Sequence, residues 1–145
     1  MALLRITRRS ALSSTEAWRR MTDWERHAAP VPFTVIRLTG ASPQGGGAGF
    51  TARTALGPFG FDDPMAVTAW QPPEADRPGL CRLEKRGRVV TGWAEIEVRP
   101  YRGGSVVQWR EDLRLAVLPR LLDRPTAWCG RLVFRRVMRQ LLDRG

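Results

Sequence analysis

The sequence predicts an α+β domain in which a curved antiparallel sheet of seven strands wraps around a long C-terminal helix. Three observations carry this. From residue 33 to residue 117 apolar and polar side chains alternate with a period of two, in short runs separated by Gly- and Pro-rich breaks. No helix-period segment interrupts those runs, so the connections are hairpins and the neighbours antiparallel. The last segment then changes to helical spacing, and it is the one element large enough to cover the apolar face of a curved sheet.

Residues 2–10 open the chain as a strand, with Leu4 and Ile6 alternating against Arg5 and Thr7. Ser13-Ser14-Thr15-Glu16 is a capping box, predicting a helix whose first N–H groups are met by the Ser13 hydroxyl and whose Glu16 carboxylate reaches back. Ala17, Trp18, Met21, Trp24 and Ala28 form its apolar face, Pro30 and Pro32 end it, and a break near Asp23 divides it in two. Strands are expected over residues 33–39, 50–56, 65–70, 80–90, 92–99 and 105–117, the last being the longest. Asp62-Asp63 reads as a turn leading into the strand at 65–70. The segment 118–142 carries an amphipathic helix of about five turns, with Pro119 marking an earlier helical turn. Pro125 falls in its first turn with Asp123 as a candidate N-cap, and Arg131, Arg135 and Arg139 make a stripe opposite Phe134, Val137, Met138 and Leu141.

The final hairpin can be read residue by residue. Arg102-Gly103-Gly104-Ser105 suits a two-residue turn with both glycines at its centre. That register opposes Val98 to Trp109, Ile96 to Glu111 and Ala94 to Leu113, all facing inward, and sets Glu95 against Asp112 outside. Glu111 therefore stands among apolar neighbours, where a carboxylate must be paired, be wetted or shift its pKa.

Composition narrows the class. A chain of 145 residues is the size of one domain, long enough to bury roughly 68–70% of its unfolded surface without staples. The net charge is +10, but 23 of the 24 basic residues are Arg, a skew that reads as a codon bias with the charge scattered over a wet surface. Six Trp supply large flat apolar surfaces for a core or a pocket. Two Cys, at 81 and 129, do not make a disulfide framework and fit a reduced, cytoplasmic setting. The N-terminus, with Arg5, Arg8 and Arg9, is not a signal peptide, and no apolar run is long enough to span a membrane.

His27, the only His, lies four residues after Asp23, so the two could form a His–Asp pair for general base work or His27 could stand at a pocket mouth; the plainer reading is a helix-end His. Cys81, Cys129 and one His do not make a closed metal site. The glycine run at residues 45–49 precedes a strand instead of a helix, so it is not a phosphate loop. No reader motif points to specific nucleic-acid recognition. Trp109, Trp70, Phe50 and Phe134 either fill the core or line a pocket with Glu111 as its polar group.

In order along the chain, Glu16-Ala17-Trp18 with Asp23-Trp24-Glu25-Arg26-His27, Asp63-Pro64-Met65 through Trp70-Gln71-Pro72-Pro73, Gly92-Trp93-Ala94-Glu95-Ile96 and Val107-Gln108-Trp109-Arg110-Glu111 resemble the START-like or SRPBCC superfamily, with its polyketide cyclase/dehydrase group. The resemblance covers nearly the whole chain. It implies a helix-grip fold, with two short helices after the first strand, and a cavity between sheet and helix for a lipid, polyketide or other apolar ligand. It carries over no catalytic residue set. The leading expectation is thus a carrier or sensor of an apolar or aromatic small molecule, as a monomer or homodimer without cofactor. The expected lining is Phe50, Ala52, Trp70, Ile96, Trp109, Glu111, Leu113, Phe134 and Met138. The alternatives are a cyclase or dehydrase using Glu111, with His27 as a second candidate, and a basic accessory protein that binds an acidic partner through Arg.

Overall fold

The computed structural model describes residues 3–28, 34–40, 45–56, 58–88, 90–115 and 123–143. The chain starts with β1 (Leu3–Ser10), α1 (Ser14–Met21) and a 3-10 turn (Trp24–Ala28). Then come β2 (Thr34–Leu38), β3 (Gly49–Leu56), β4 (Phe59–Gln71), β5 (Gly79–Arg86), β6 (Val90–Tyr101) and β7 (Gly104–Leu115), followed by α2 (Asp123–Asp143). One seven-stranded sheet runs in the order β1-β7-β6-β5-β4-β3-β2, with every neighbouring pair antiparallel. This is the helix-grip architecture: a meander from β2 to β7, with β1 added at the far edge and α2 lying on the concave face. No described helix is long and apolar enough to cross a membrane.

Local chemistry explains the first elements. The Ser13 hydroxyl accepts from the Glu16 N–H at 3.2 Å, as the sequence predicts. The Glu16 carboxylate instead accepts from Arg19 at 2.6 Å and Arg20 at 2.9 Å. Those two guanidinium bonds hold its pKa down to about 2. The expected break at Asp23 separates α1 from the 3-10 turn, and α1 buries Ala17, Trp18 and Met21.

Two strand assignments need correction. β4 runs 13 residues from Phe59 to Gln71, the longest strand among the described residues, and Asp62-Asp63 lie inside it instead of in a turn. Pro64 is tolerated there because the ladder to β5 begins only at Met65↔Lys85, so on that side no bond asks for its missing N–H. The β6–β7 turn is centred on Arg102 and Gly103, at φ 43° and 82°, the pair of positive values a tight hairpin requires. The register is therefore displaced by two residues: Ile96 faces Trp109, Ala94 faces Glu111, and Glu95 faces Arg110. A shift of two keeps every side chain on its expected face. It also replaces the like-charge pair Glu95/Asp112 with an ion pair between Glu95 and Arg110.

The concave face is divided along the strands. Towards the Arg102–Gly103 end, α1 and the C-terminal half of α2 fill it. There Ile96, Val98, Val107, Met138, Leu141 and Leu142 are all buried in one continuous core. Towards the other end the middle of α2, at Val133, Phe134 and Val137, stands over a gap.

Candidate functional site

That gap is a cavity of about 230 Å³. The sheet supplies Phe50 and Ala52 from β3, Phe61, Asp63 and Met65 from β4, Leu83 and Lys85 from β5, Ala94 from β6, and Trp109 and Glu111 from β7. The helical side supplies Trp24 and His27 from the 3-10 turn and Val133, Phe134 and Val137 from α2.

An unbroken aromatic row makes one wall. Phe50 stacks on Trp24 at 5.0 Å between ring centroids, and His27 lies 5.5 Å from Trp24 and 5.6 Å from Trp109. Trp109 in turn stacks on Phe134 at 4.9 Å. Period two places Phe50 and Trp109 on the concave side of their strands, and helical spacing places Phe134 on the facing side of α2.

A charged cluster makes the opposite character. Lys85 Nζ donates to Asp63 Oδ2 at 2.8 Å and lies 3.2 Å from Glu111 Oε1. Trp109 Nε1–H donates to Glu111 Oε2 at 3.3 Å. Lys85 and Glu111 sit on β5 and β7, with β6 between them. Their contact is sterically open because β6 presents Gly92 opposite Lys85 and Ala94 opposite Glu111, neither with a long side chain. The Lys85 and Glu111 side chains are 2% and 1% exposed, so these charges are held by one another and not by water. Burial pushes the Glu111 and Asp63 carboxyl groups above the ordinary range, against the pull of the Lys85 ammonium. Burial also opposes the Lys85 charge, but attraction to Glu111 and Asp63 prevails and its pKa stands above the usual lysine value. Two carboxylates around one ammonium leave a negative charge in excess when all are ionised, so the cluster readily takes up a proton. Asp63 Oδ1 and Trp24 Nε1 are buried without a hydrogen-bond partner among the described residues, and both belong to cavity-lining side chains.

Of the residues expected at a pocket, Phe50, Ala52, Trp109, Glu111 and Phe134 line this one. Ile96 and Met138 stand in the filled half of the interior, one step beyond Ala94 on β6 and one turn beyond Phe134 on α2. Trp70 packs edge-on against Trp18 at 5.1 Å, away from the cavity. The side chain of Leu113 lies outside the described residues. His27 is at the cavity, but its Nε2–H donates to the Met21 carbonyl at 2.8 Å, while Asp23 pairs with Arg26 at 3.3 Å, so the His–Asp pair that the spacing allowed is not formed. Burial lowers the His27 pKa to about 4 and leaves the ring neutral. Lys85 and Asp63 were missed by sequence reasoning. The signal was present: Cys81, Leu83 and Lys85 alternate on one face of β5, and Lys85 is the only Lys of the chain.

No family model matches the chain, and no curated protein matches it. Solved structures do match over nearly the full length. KanY (ms6282) is similar with a TM-score of 0.74 at 12% identity, covering 98% of this chain and 95% of that one. The Zhui aromatase/cyclase from Streptomyces sp. R1128 has a TM-score of 0.67 at 13% identity, covering 98% and 92%. Norcoclaurine synthase from Thalictrum flavum, solved with dopamine and hydroxybenzaldehyde, has a TM-score of 0.62 at 15% identity, covering 99% and 87%. These likenesses establish the fold: it is the helix-grip fold that these solved proteins share.

Proposed function

We propose that this chain binds a small apolar or aromatic molecule with one polar end, as a carrier or sensor. The observation that carries the reading is the cavity itself, aromatic along one wall and closed by a buried Asp63–Lys85–Glu111 cluster. Its volume of about 230 Å³ exceeds the roughly 150 Å³ of an apolar protein cavity that takes up benzene. It falls below the roughly 300–1,000 Å³ usual for drug-sized ligands. A molecule of one or two rings suits that space better than a long-chain lipid. The aromatic row offers flat faces for stacking, and the cluster offers a carboxyl, an ammonium and the unpartnered Asp63 Oδ1 to a hydroxyl, carbonyl or amine. Dopamine and hydroxybenzaldehyde, the molecules held by norcoclaurine synthase on the same fold, are of this size and kind. A cytoplasmic setting fits the free thiols of Cys81 and Cys129.

The test is thermal unfolding with a panel of phenols, aromatic aldehydes and aromatic amines. A ligand at a hundred times its Kd stabilises by about 2.7 kcal/mol, which for a domain of this size raises Tm by about 5–10 °C. Ala52→Leu fills the cavity and should abolish the shift. The reading fails if no compound raises Tm, or if Ala52→Leu leaves the shift intact.

A second reading, a cyclase or dehydrase, is favoured by one observation: Glu111 and Asp63 face the same cavity around Lys85, and burial raises both carboxyls, the direction a general acid requires. In a dehydration, one carboxylate would take the proton alpha to a carbonyl. The other carboxyl would protonate the departing hydroxyl, which leaves as water. Glu111→Gln should then bind substrate and lose turnover; undiminished turnover would remove this reading.

A further inference from the structure

We infer that the outer face of α2 docks the protein on an anionic lipid bilayer, with Trp128 and Leu132 entering the interface and arginines meeting the headgroups. Helical spacing puts Trp128, Leu132, Arg135, Arg136 and Arg139 on the side of α2 turned away from Val137, Met138 and Leu141. Exposure agrees. Trp128 is 63% and Leu132 48% exposed, one helical turn apart, whereas Val137 and Met138 are buried. These two exposed side chains adjoin a row of like charge. Arg135, Arg136 and Arg139, with Leu132 and with Arg8 of β1, line a groove between α2 and β1. Arg8 is paired with Asp143; Arg135, Arg136 and Arg139 have no carboxylate partner among the described residues.

This combination selects among anionic partners. A nucleic acid offers phosphates to the arginines and a base face to Trp128, but no apolar layer that would take up Leu132 beside it. An anionic bilayer offers both layers at once: phosphates for the guanidinium groups, and below them an apolar boundary where an indole, apolar with one N–H donor, settles. The apolar strip continues to the cavity. Val133, next to Leu132 and 39% exposed, is also part of the cavity wall. A protein seated on lipid through this face therefore brings its cavity beside the bilayer, where an apolar molecule dissolves. Docking itself does not depend on what the cavity holds.

Flotation of the full chain with phosphatidylcholine vesicles, with and without phosphatidylglycerol, tests the inference. Binding is expected to the anionic vesicles and to weaken steeply with added salt. Arg135→Ala/Arg136→Ala/Arg139→Ala should weaken it about a hundredfold, and Trp128→Ser/Leu132→Ser about tenfold. Arg9→Ala/Arg77→Ala/Arg99→Ala removes the same charge from elsewhere on the surface and should leave binding within about twofold of wild type, because interfacial attraction acts only close to the bilayer. All these positions are solvent-exposed, so the variants keep the fold, and circular dichroism checks that they do. Three outcomes overturn the inference: no anionic-vesicle binding, equal losses in the two arginine triples, or an α2 face that proves to join two copies of the chain, seen as dimerisation removed by Trp128→Ser/Leu132→Ser without vesicle binding.

Discussion

Lys85 is held between two carboxylates on the cavity wall, almost wholly buried, and this arrangement decides what its removal does. Lys85→Met leaves Asp63 and Glu111 buried without their cation, a loss of about 3–5 kcal/mol near neutral pH. Both carboxyl groups already titrate above their unfolded values, and they rise further when the ammonium goes. The folded variant then binds protons before the unfolded chain does as the pH falls, so its deficit shrinks on acidification. Urea titrations at about pH 7 and pH 5 measure this; a deficit independent of pH would refute the cluster. His27 carries the opposite sign. Its folded pKa of about 4 lies below the unfolded value of about 6.5, so the unfolded chain takes the proton first, and stability falls between those two values by up to about 3 kcal/mol. His27→Gln keeps an N–H for the Met21 carbonyl and removes that slope, and the difference between the two stability curves isolates it. A His–Asp pair would have given a slope of the other sign. At this scale the sequence was half legible. Glu111, Phe50 and Trp109 follow from a period of two. Lys85 sits in Leu-Glu-Lys-Arg, which has the composition of a solvated strand end, and Asp63 sits in Asp-Asp-Pro, which has the composition of a turn. Only pairing across three strands reveals why either is inward.

Among the elements, the β6–β7 hairpin shows how far pattern alone carries. Its inward and outward faces follow from alternation, because apolar and charged residues keep the same parity through both strands. Its register depends on which two residues take positive φ, and Arg-Gly-Gly offers two choices that differ by one residue in the turn and by two in the pairing. The choice made brings Gly104 against β1: a Cβ there would fall on the Ser10 carbonyl oxygen, which is backbone and has little freedom to move. Gly104→Ala should therefore cost about 1–3 kcal/mol, with amide exchange quickening first along β1, as hydrogen exchange would show. Equal protection of β1 in the variant would contradict the close approach. The helical elements were the most legible: the Ser13 cap and the break at Asp23 each follow from side-chain chemistry within a few residues. β4 was the least legible, since Pro64 signals a stop unless its neighbour on that side is already known to have ended.

For the molecule as a whole, the division of the interior into a filled half and a vacant half predicts opposite responses to one substitution. Ala17→Leu, on α1 in the filled half where Ala17 is fully buried, overpacks the core and destabilises by about 1–3 kcal/mol. Ala52→Leu adds the same atoms to the cavity wall and stabilises the empty protein by about 1–2 kcal/mol. Chemical denaturation of both variants checks the pair, and destabilisation by both would mean the vacant half is closed. The sheet topology has a consequence in time. β1 pairs with β7, Leu3 meeting Asp112 and Ser10 meeting Ser105, so the first strand of this sheet has no strand partner until the last one, β7, has been made. Its closure spans the full meander and must meet a large loop-entropy cost before any reward. Assembly on the ribosome is therefore a matter of a nascent edge kept waiting, and the three arginines of β1, Arg5, Arg8 and Arg9, give that waiting strand the charge that discourages it from pairing with a stranger.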